Sequence, residues 1–364
     1  MRIVVKIGSN ILAGARGVNA ARIRSIARAV SALHDAGTEI VIVSSGAVAA
    51  GMKRLGLKTK PKDIQLKQAA AAVGQPALIW EYEKAFKAHR KLVAQVLLTR
   101  DALSDRTMYI NSKNTLITLI ERGVIAIINE NDTVATDEIR FGDNDRLAAM
   151  VATLLEADRL VILSDVSGLY SADPKSDAKA ILVNKVYSIT DDMLAMAGGA
   201  GSSVGTGGMY SKLLAARMAA RSGITTNIIS GRKPSLLGRL MDGKTVGTEF
   251  VPSAEKLSAR KGWIANGIRP KGTLVLDAGA VRALTVTQKS LLPSGIASVE
   301  GEFKTGDAVY CVDGSGARIA KGLTNYSSEE LGKIRGLKTS EIERVLGYKY
   351  SDEAIHRDNI VVLS

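Results

Sequence analysis

Through roughly its first 250 residues the chain alternates short apolar runs with longer stretches of helical period, and few architectures accommodate that alternation. The apolar runs fall at Ile3–Ile7, Glu39–Val43, Leu92–Leu98, Val124–Asn129, Arg159–Leu163 and Thr225–Ile229. Amphipathic stretches separate them, at Asn19–Ala36, Asp63–His89, Asn111–Arg122, Asp143–Glu156 and Met209–Ser222. The pattern predicts an α/β fold around a mostly parallel sheet, in which ligands gather beyond the carboxyl ends of the strands. Past Pro252 the texture changes. A short polar, basic stretch gives way near Trp263 to Gly-punctuated strands at Gly272–Leu276, Ile296–Glu300, Asp307–Val312 and Arg318–Leu323. These read as a small β-barrel or sandwich, with short helices at Ser327–Arg335 and Ser340–Leu346. Since 364 residues exceed the roughly 250 to 300 that one core usually supports, the expected division is a domain over 1–252, a linker over 253–262 and a second domain over 263–364.

Several function classes drop out on composition. No apolar run approaches the ~18 to 20 residues of a membrane span, and Met1-Arg2-Ile3-Val4-Val5-Lys6 enters a strand pattern directly, so a cytoplasmic protein is expected. The single cysteine, Cys311, reads as a small buried hydrophobe. The net charge is +13, of which +10 lies in residues 1–252 and +3 in the remainder. The basic stretch Lys53–Lys62 lacks the interleaved aromatics of a surface that stacks nucleic-acid bases, and reads as a solvated face.

Five clusters at the predicted strand ends carry chemistry. Lys6-Ile7-Gly8-Ser9-Asn10 places a cation before a glycine that lets backbone approach an anion. Ser44-Ser45-Gly46-Ala47 sets small residues at a helix N-terminus. Asn129-Glu130-Asn131-Asp132, followed by Phe141-Gly142-Asp143-Asn144-Asp145, is dense in acids and amides that can grip an amino group, orient lysines or hold Mg²⁺; Asp143 or Asn144 also reads as a helix N-cap. Ser164-Asp165 follows the next strand, and Gly205-Thr206-Gly207-Gly208-Met209-Tyr210-Ser211-Lys212 is a glycine-rich loop entering a helix that carries a lysine, the machinery of phosphoryl transfer. By contrast Gly238-Arg239-Leu240-Met241-Asp242-Gly243-Lys244-Thr245 matches the P-loop spacing in the wrong context, because its first glycine lies in a helical stretch and a strand follows rather than precedes it. His34, His89 and His356 fall outside every cluster. A carboxylate acceptor, with a pKa of about 4, needs no such base.

In this order and at these strand ends, the clusters resemble the amino acid kinase family essentially end to end, and within it the members that phosphorylate the side chain of glutamate. The C-terminal region is similar to the PUA domain. The resemblance implies an αβα sandwich with a mostly parallel central sheet, ATP as co-substrate and Mg²⁺ with it. It implies that Lys6 and Lys212 flank the phosphoryl group in flight while Asp145 holds both. Glutamate would be bound by Ser45, Gly46, Asp132 and Asn144. ATP would be bound by Lys6, Gly8, Ser164, Asp165, Thr206, Gly207, Gly208, Met209, Tyr210, Ser211 and Lys212, with Gly8 and Gly46 supplying backbone N–H groups near the phosphate and no protein metal ligand assigned. In the family the product feeds proline synthesis, proline commonly inhibits, and the subunits form dimers or tetramers. For the PUA-like region regulation or assembly ranks ahead of RNA contact, since +3 over that region is modest for a phosphate backbone. Sibling kinases acting on aspartate, N-acetylglutamate or a nucleoside monophosphate are the alternatives; they typically lack such a tail.

Overall fold

The computed structural model describes residues 1–14, 17–59, 61–135, 144–174, 176–177, 179–198, 208–252 and 259–363. The chain divides into two compact units, Met1–Lys256 and Leu257–Ser364. The strands are β1 (Arg2–Ile7), β2 (Ala13–Gly14), β3 (Gly17–Val18), β4 (Glu39–Val43), β5 (Val93–Leu98), β6 (Ile125–Glu130), β7 (Arg159–Ser164), β8 (Lys185–Val186), β9 (Thr225–Ser230), β10 (Thr248–Phe250), β11 (Gly272–Leu276), β12 (Ile296–Gly301), β13 (Ala308–Val312), β14 (Arg318–Leu323) and β15 (Ile360–Val362).

In the first unit eight strands form one sheet in the order β5-β6-β4-β1-β7-β9-β10-β8, parallel throughout except where β10 runs against β9. The strand β1 lies inside this sheet, paired with β4 on one edge and β7 on the other. Its continuous Val-Val-Lys-Ile run is what a strand covered on both faces requires. Alternation sends Ile3, Val5 and Ile7 into one helical layer and Val4 into the other. Lys6 shares parity with Val4, and that side is covered by the helices Asp145–Leu154 and Met209–Arg221.

The opposite layer holds the helices Ala20–Asp35, Ala47–Arg54 and Ile64–Lys87, begun at their caps by Asn19, Gly46 and Asp63. The last two helices touch backbone to backbone. A Cβ added at Gly51 would lie 1.6 Å from the Ala70 carbonyl oxygen, and one at Gly74 would lie 1.9 Å from that of Ala47. Gly46, at φ 105°, takes a left-handed conformation that other residues adopt only under strain.

The second unit is one five-stranded sheet, β12-β11-β13-β14-β15, around its own core. A helix not foreseen from the sequence, Ala278–Thr285, packs Leu284 into that core, and Ala259–Asn266 occupies part of the stretch read as linker. Cys311 is fully buried on β13, where burial pushes its thiol up to about 12, so it behaves as the inert hydrophobe expected. The P-loop look-alike begins in the helix Leu236–Met241 and leads toward β10, the context that rules it out. No helix among the described residues is long and apolar enough to cross a membrane.

Candidate active site

The carboxyl ends of β1, β4, β6 and β7 lie side by side, and the sequence clusters converge there. At the centre is a buried ionic triad. Lys6 Nζ pairs with Asp145 Oδ1, and Lys212 Nζ lies 3.2 Å from Asp145 Oδ2. The three side chains are almost wholly excluded from solvent, at 3%, 6% and 0% for Lys6, Lys212 and Asp145, so their charges act in a medium that screens them poorly. Two ammonium groups share this one carboxylate. Ser211 Oγ lies 3.0 Å from Asp145 Oδ2 and 2.8 Å from the Gly208 carbonyl, and its single proton can be donated to either. Asp145 opens its helix and Lys212 stands in the first turn of its own, so both helix N-termini add positive potential at the same place.

Around the triad, Asp165 at the end of β7 accepts from Asn10 Nδ2 at 2.9 Å. Desolvation opposes ionisation of Asp165, but hydrogen bonds from Asn10, its own amide and Ser164, with the charge of Lys212, outweigh it and hold the carboxyl below its ordinary range. Tyr210 is exposed and Met209 half-buried at the helix entrance. Thr206 and Gly207 lie outside the described residues, as does Asp143. The Gly8 amide donates to the Leu163 carbonyl at 3.1 Å, joining β1 to β7.

The second half of the site is a set of amides. Asn144 occupies the N-cap position, yet its side chain makes no capping bond. Its Nδ2 donates instead to the Ser44 carbonyl and, at 2.7 Å, to Asn129 Oδ1. Asn129 Oδ1 also accepts from the Glu130 amide at 2.9 Å, and Asn129 Nδ2 donates to Gln75 Oε1 at 2.8 Å. Ser44 Oγ lies 2.9 Å from the buried Tyr82 hydroxyl, and burial raises that phenol's pKa. Ser45 is buried beside them. Asp132, just past β6, is half-buried, and desolvation pushes its carboxyl up to about 6. Sequence reasoning did not single out Gln75 or Tyr82. They recur seven residues apart on one stripe of the helix Ile64–Lys87, a spacing that reads equally as core.

Residues 1–230 match the model of the amino acid kinase family, and residues 272–346 that of the PUA domain. The glutamate 5-kinase of Geobacter sp. (strain M21) is 51% identical over 363 residues, spanning 100% of this chain and 97% of that protein. That of Laribacter hongkongensis (strain HLHK9) is 52% identical over 363 residues, 100% of this chain and 98% of its own. Among solved structures, carbamate kinase from Giardia lamblia bound to AMP-PNP superposes with a TM-score of 0.51 at 17% identity, over 69% of this chain and 98% of that one, a likeness of fold alone.

Proposed function

This chain belongs to the amino acid kinase family and to its glutamate 5-kinase branch, and from that premise we propose how its residues move the γ-phosphoryl group of ATP onto the side-chain carboxylate of glutamate. The observation that carries the reading is the buried Lys6–Asp145–Lys212 triad, in which two lysines share one carboxylate at the carboxyl ends of the strands. A glutamate side chain is ionised at neutral pH and attacks the γ-phosphorus directly. The bond between that phosphorus and the bridging oxygen breaks, and ADP leaves with the electron pair. No general base is required, and His34 and His356 are engaged elsewhere, with Lys91 and with the Asp358 amide.

What lowers the barrier is positioning and charge. Lys6 and Lys212 meet the oxygens of the transferring group from two sides, and Asp145 holds their separation. ATP enters as its magnesium complex. Phosphate oxygens and water would supply most of the ligands of that ion. Ser164, Asp165 and the turn from Gly208 to Lys212 border the nucleotide, whereas Ser45, Gly46, Asp132 and Asn144 border the amino acid. Proline competes at this latter end. Assembly into a dimer or tetramer belongs to the same reading, supported by the edge strand β5, where Leu97 and, just before the strand, Leu92 are exposed.

The experiment offers glutamate, aspartate and N-acetylglutamate in parallel with MgATP and hydroxylamine, which attacks an acyl phosphate at carbon, releases phosphate and leaves a hydroxamate. Hydroxamate and ADP should appear with glutamate. Their absence there, with either of the other substrates reacting, would overturn the substrate assignment.

A pH dependence follows from Asp132. Its carboxyl titrates near 6 in the free protein because burial disfavours the charged form. Above that value it is ionised and attracts the substrate ammonium; below it the attraction is lost. The kcat/KM for glutamate is therefore expected to fall about tenfold per pH unit below about 6, and Asp132→Asn should flatten that limb. A wild-type profile level down to pH 5 would exclude Asp132 from amino-group binding.

A further inference from the structure

Gln75 lies in no strand-end cluster, and nothing in the reaction scheme uses it, yet it ends a chain of amides that reaches the substrate side of the site. The orientation of each amide in that chain is fixed by groups that cannot change roles. The Ser44 carbonyl only accepts, so the atom of Asn144 facing it must be the NH₂ group. The Glu130 amide only donates, so the atom of Asn129 facing it must be oxygen. Asn129 therefore turns its own NH₂ group toward Gln75 and finds Oε1 at 2.8 Å. Both N–H bonds of Asn144 are used, on Ser44 and Asn129, and among the described residues its Oδ1 has no hydrogen-bond partner. Asn144 thus offers a ligand an acceptor and no donor.

An acceptor at that point recognises a protonated amine. A substrate whose nitrogen is acylated keeps at most one N–H and no charge, and a dicarboxylate without the amine has nothing to give. We propose that Gln75 is a positioning residue for amino-group recognition: by holding Asn129 it keeps Asn144 Oδ1 directed at the substrate ammonium, and so favours a free α-amine. The inference rests on the glutamate reading and deepens it.

Half-buried Gln75 can be changed without touching the ionic triad. Gln75→Leu keeps volume and removes the acceptor; Gln75→Glu keeps an acceptor oxygen in the same place. The probes are glutamate and glutarate, which differ only in the amine. With Gln75→Leu the ratio of kcat/KM for glutamate to that for glutarate should fall about tenfold, carried by KM for glutamate, as loosening one hydrogen bond to a charged group implies. kcat and KM for ATP should stay within about twofold on the same grounds, and Gln75→Glu should retain the wild-type ratio. An unchanged ratio in Gln75→Leu, or a ratio lowered in Gln75→Glu, overturns the proposal, and the second criterion stands even if the leucine variant does not fold. A wild-type enzyme inactive on glutamate would instead overturn the function itself.

Discussion

Replacing Lys212 with Met is expected to lower kcat by about a thousandfold while leaving the protein as stable as before, whereas Asp145→Asn should lose both activity and stability. The contrast comes from counting charges in a place water does not reach. Removing one lysine leaves Asp145 still paired with Lys6. The transition state then lacks one of its two cations, and losing such a preorganised contact costs roughly 3 to 4 kcal/mol of barrier, about two to three orders of magnitude in rate. Removing the carboxylate takes away the buried acid that both ammonium groups share. Breaking a buried pair in this way costs about 3 to 5 kcal/mol of stability. Phosphates supply the missing negative charge, so MgATP should raise the melting temperature of Asp145→Asn more than that of the wild type. Thermal unfolding with and without MgATP, beside steady-state kinetics, reads all of this. Equal destabilisation of Lys212→Met and Asp145→Asn would show that Asp145 is not the shared pivot.

Gly74→Ala is expected to destabilise the fold severely. Inside an exposed helix that change is worth up to about 1 kcal/mol of stabilisation. Here the new methyl would sit 1.9 Å from the Ala47 carbonyl oxygen and 2.4 Å from the Gly51 nitrogen, both backbone atoms that cannot turn aside. The helices must separate, uncovering the layer behind Ser44 and Tyr82, and a loss above about 4 kcal/mol is a large share of a typical 5 to 15. Gly238→Ala, where an added Cβ meets nothing within 4 Å, is the control and should fold normally. Soluble yield and urea midpoints compare the two. A stable Gly74→Ala would mean that the helices are free to move apart, and would weaken the placement of Gln75 with them.

The long strands of the first unit were legible because each is an apolar run bounded by polar turns, and β1, β4 and β7 fall within a residue of where the sequence places them. The two-residue strand β8 was not, since nothing about Lys185-Val186 differs from a loop until β10 pairs with it. Of the triad, Lys6 stood out as a charge inside an apolar strand, but that it shares Asp145 with Lys212, far along the chain, depends on the order of the strands rather than on any local pattern. Asn144 was legible as a position and not as a contact. A helix start explains an Asn there equally well, and only the side-chain hydrogen bonds distinguish the two roles.

The placement of Lys6 has an evolutionary corollary. Its helical layer is set by whether its position in β1 is odd or even, and neighbours on both edges hold that register. Inserting or deleting one residue upstream within the strand would hand the cation to the wrong layer, while two would restore it. The length of this strand upstream of Lys6 can therefore change only in steps of two if the cation is to stay in its layer.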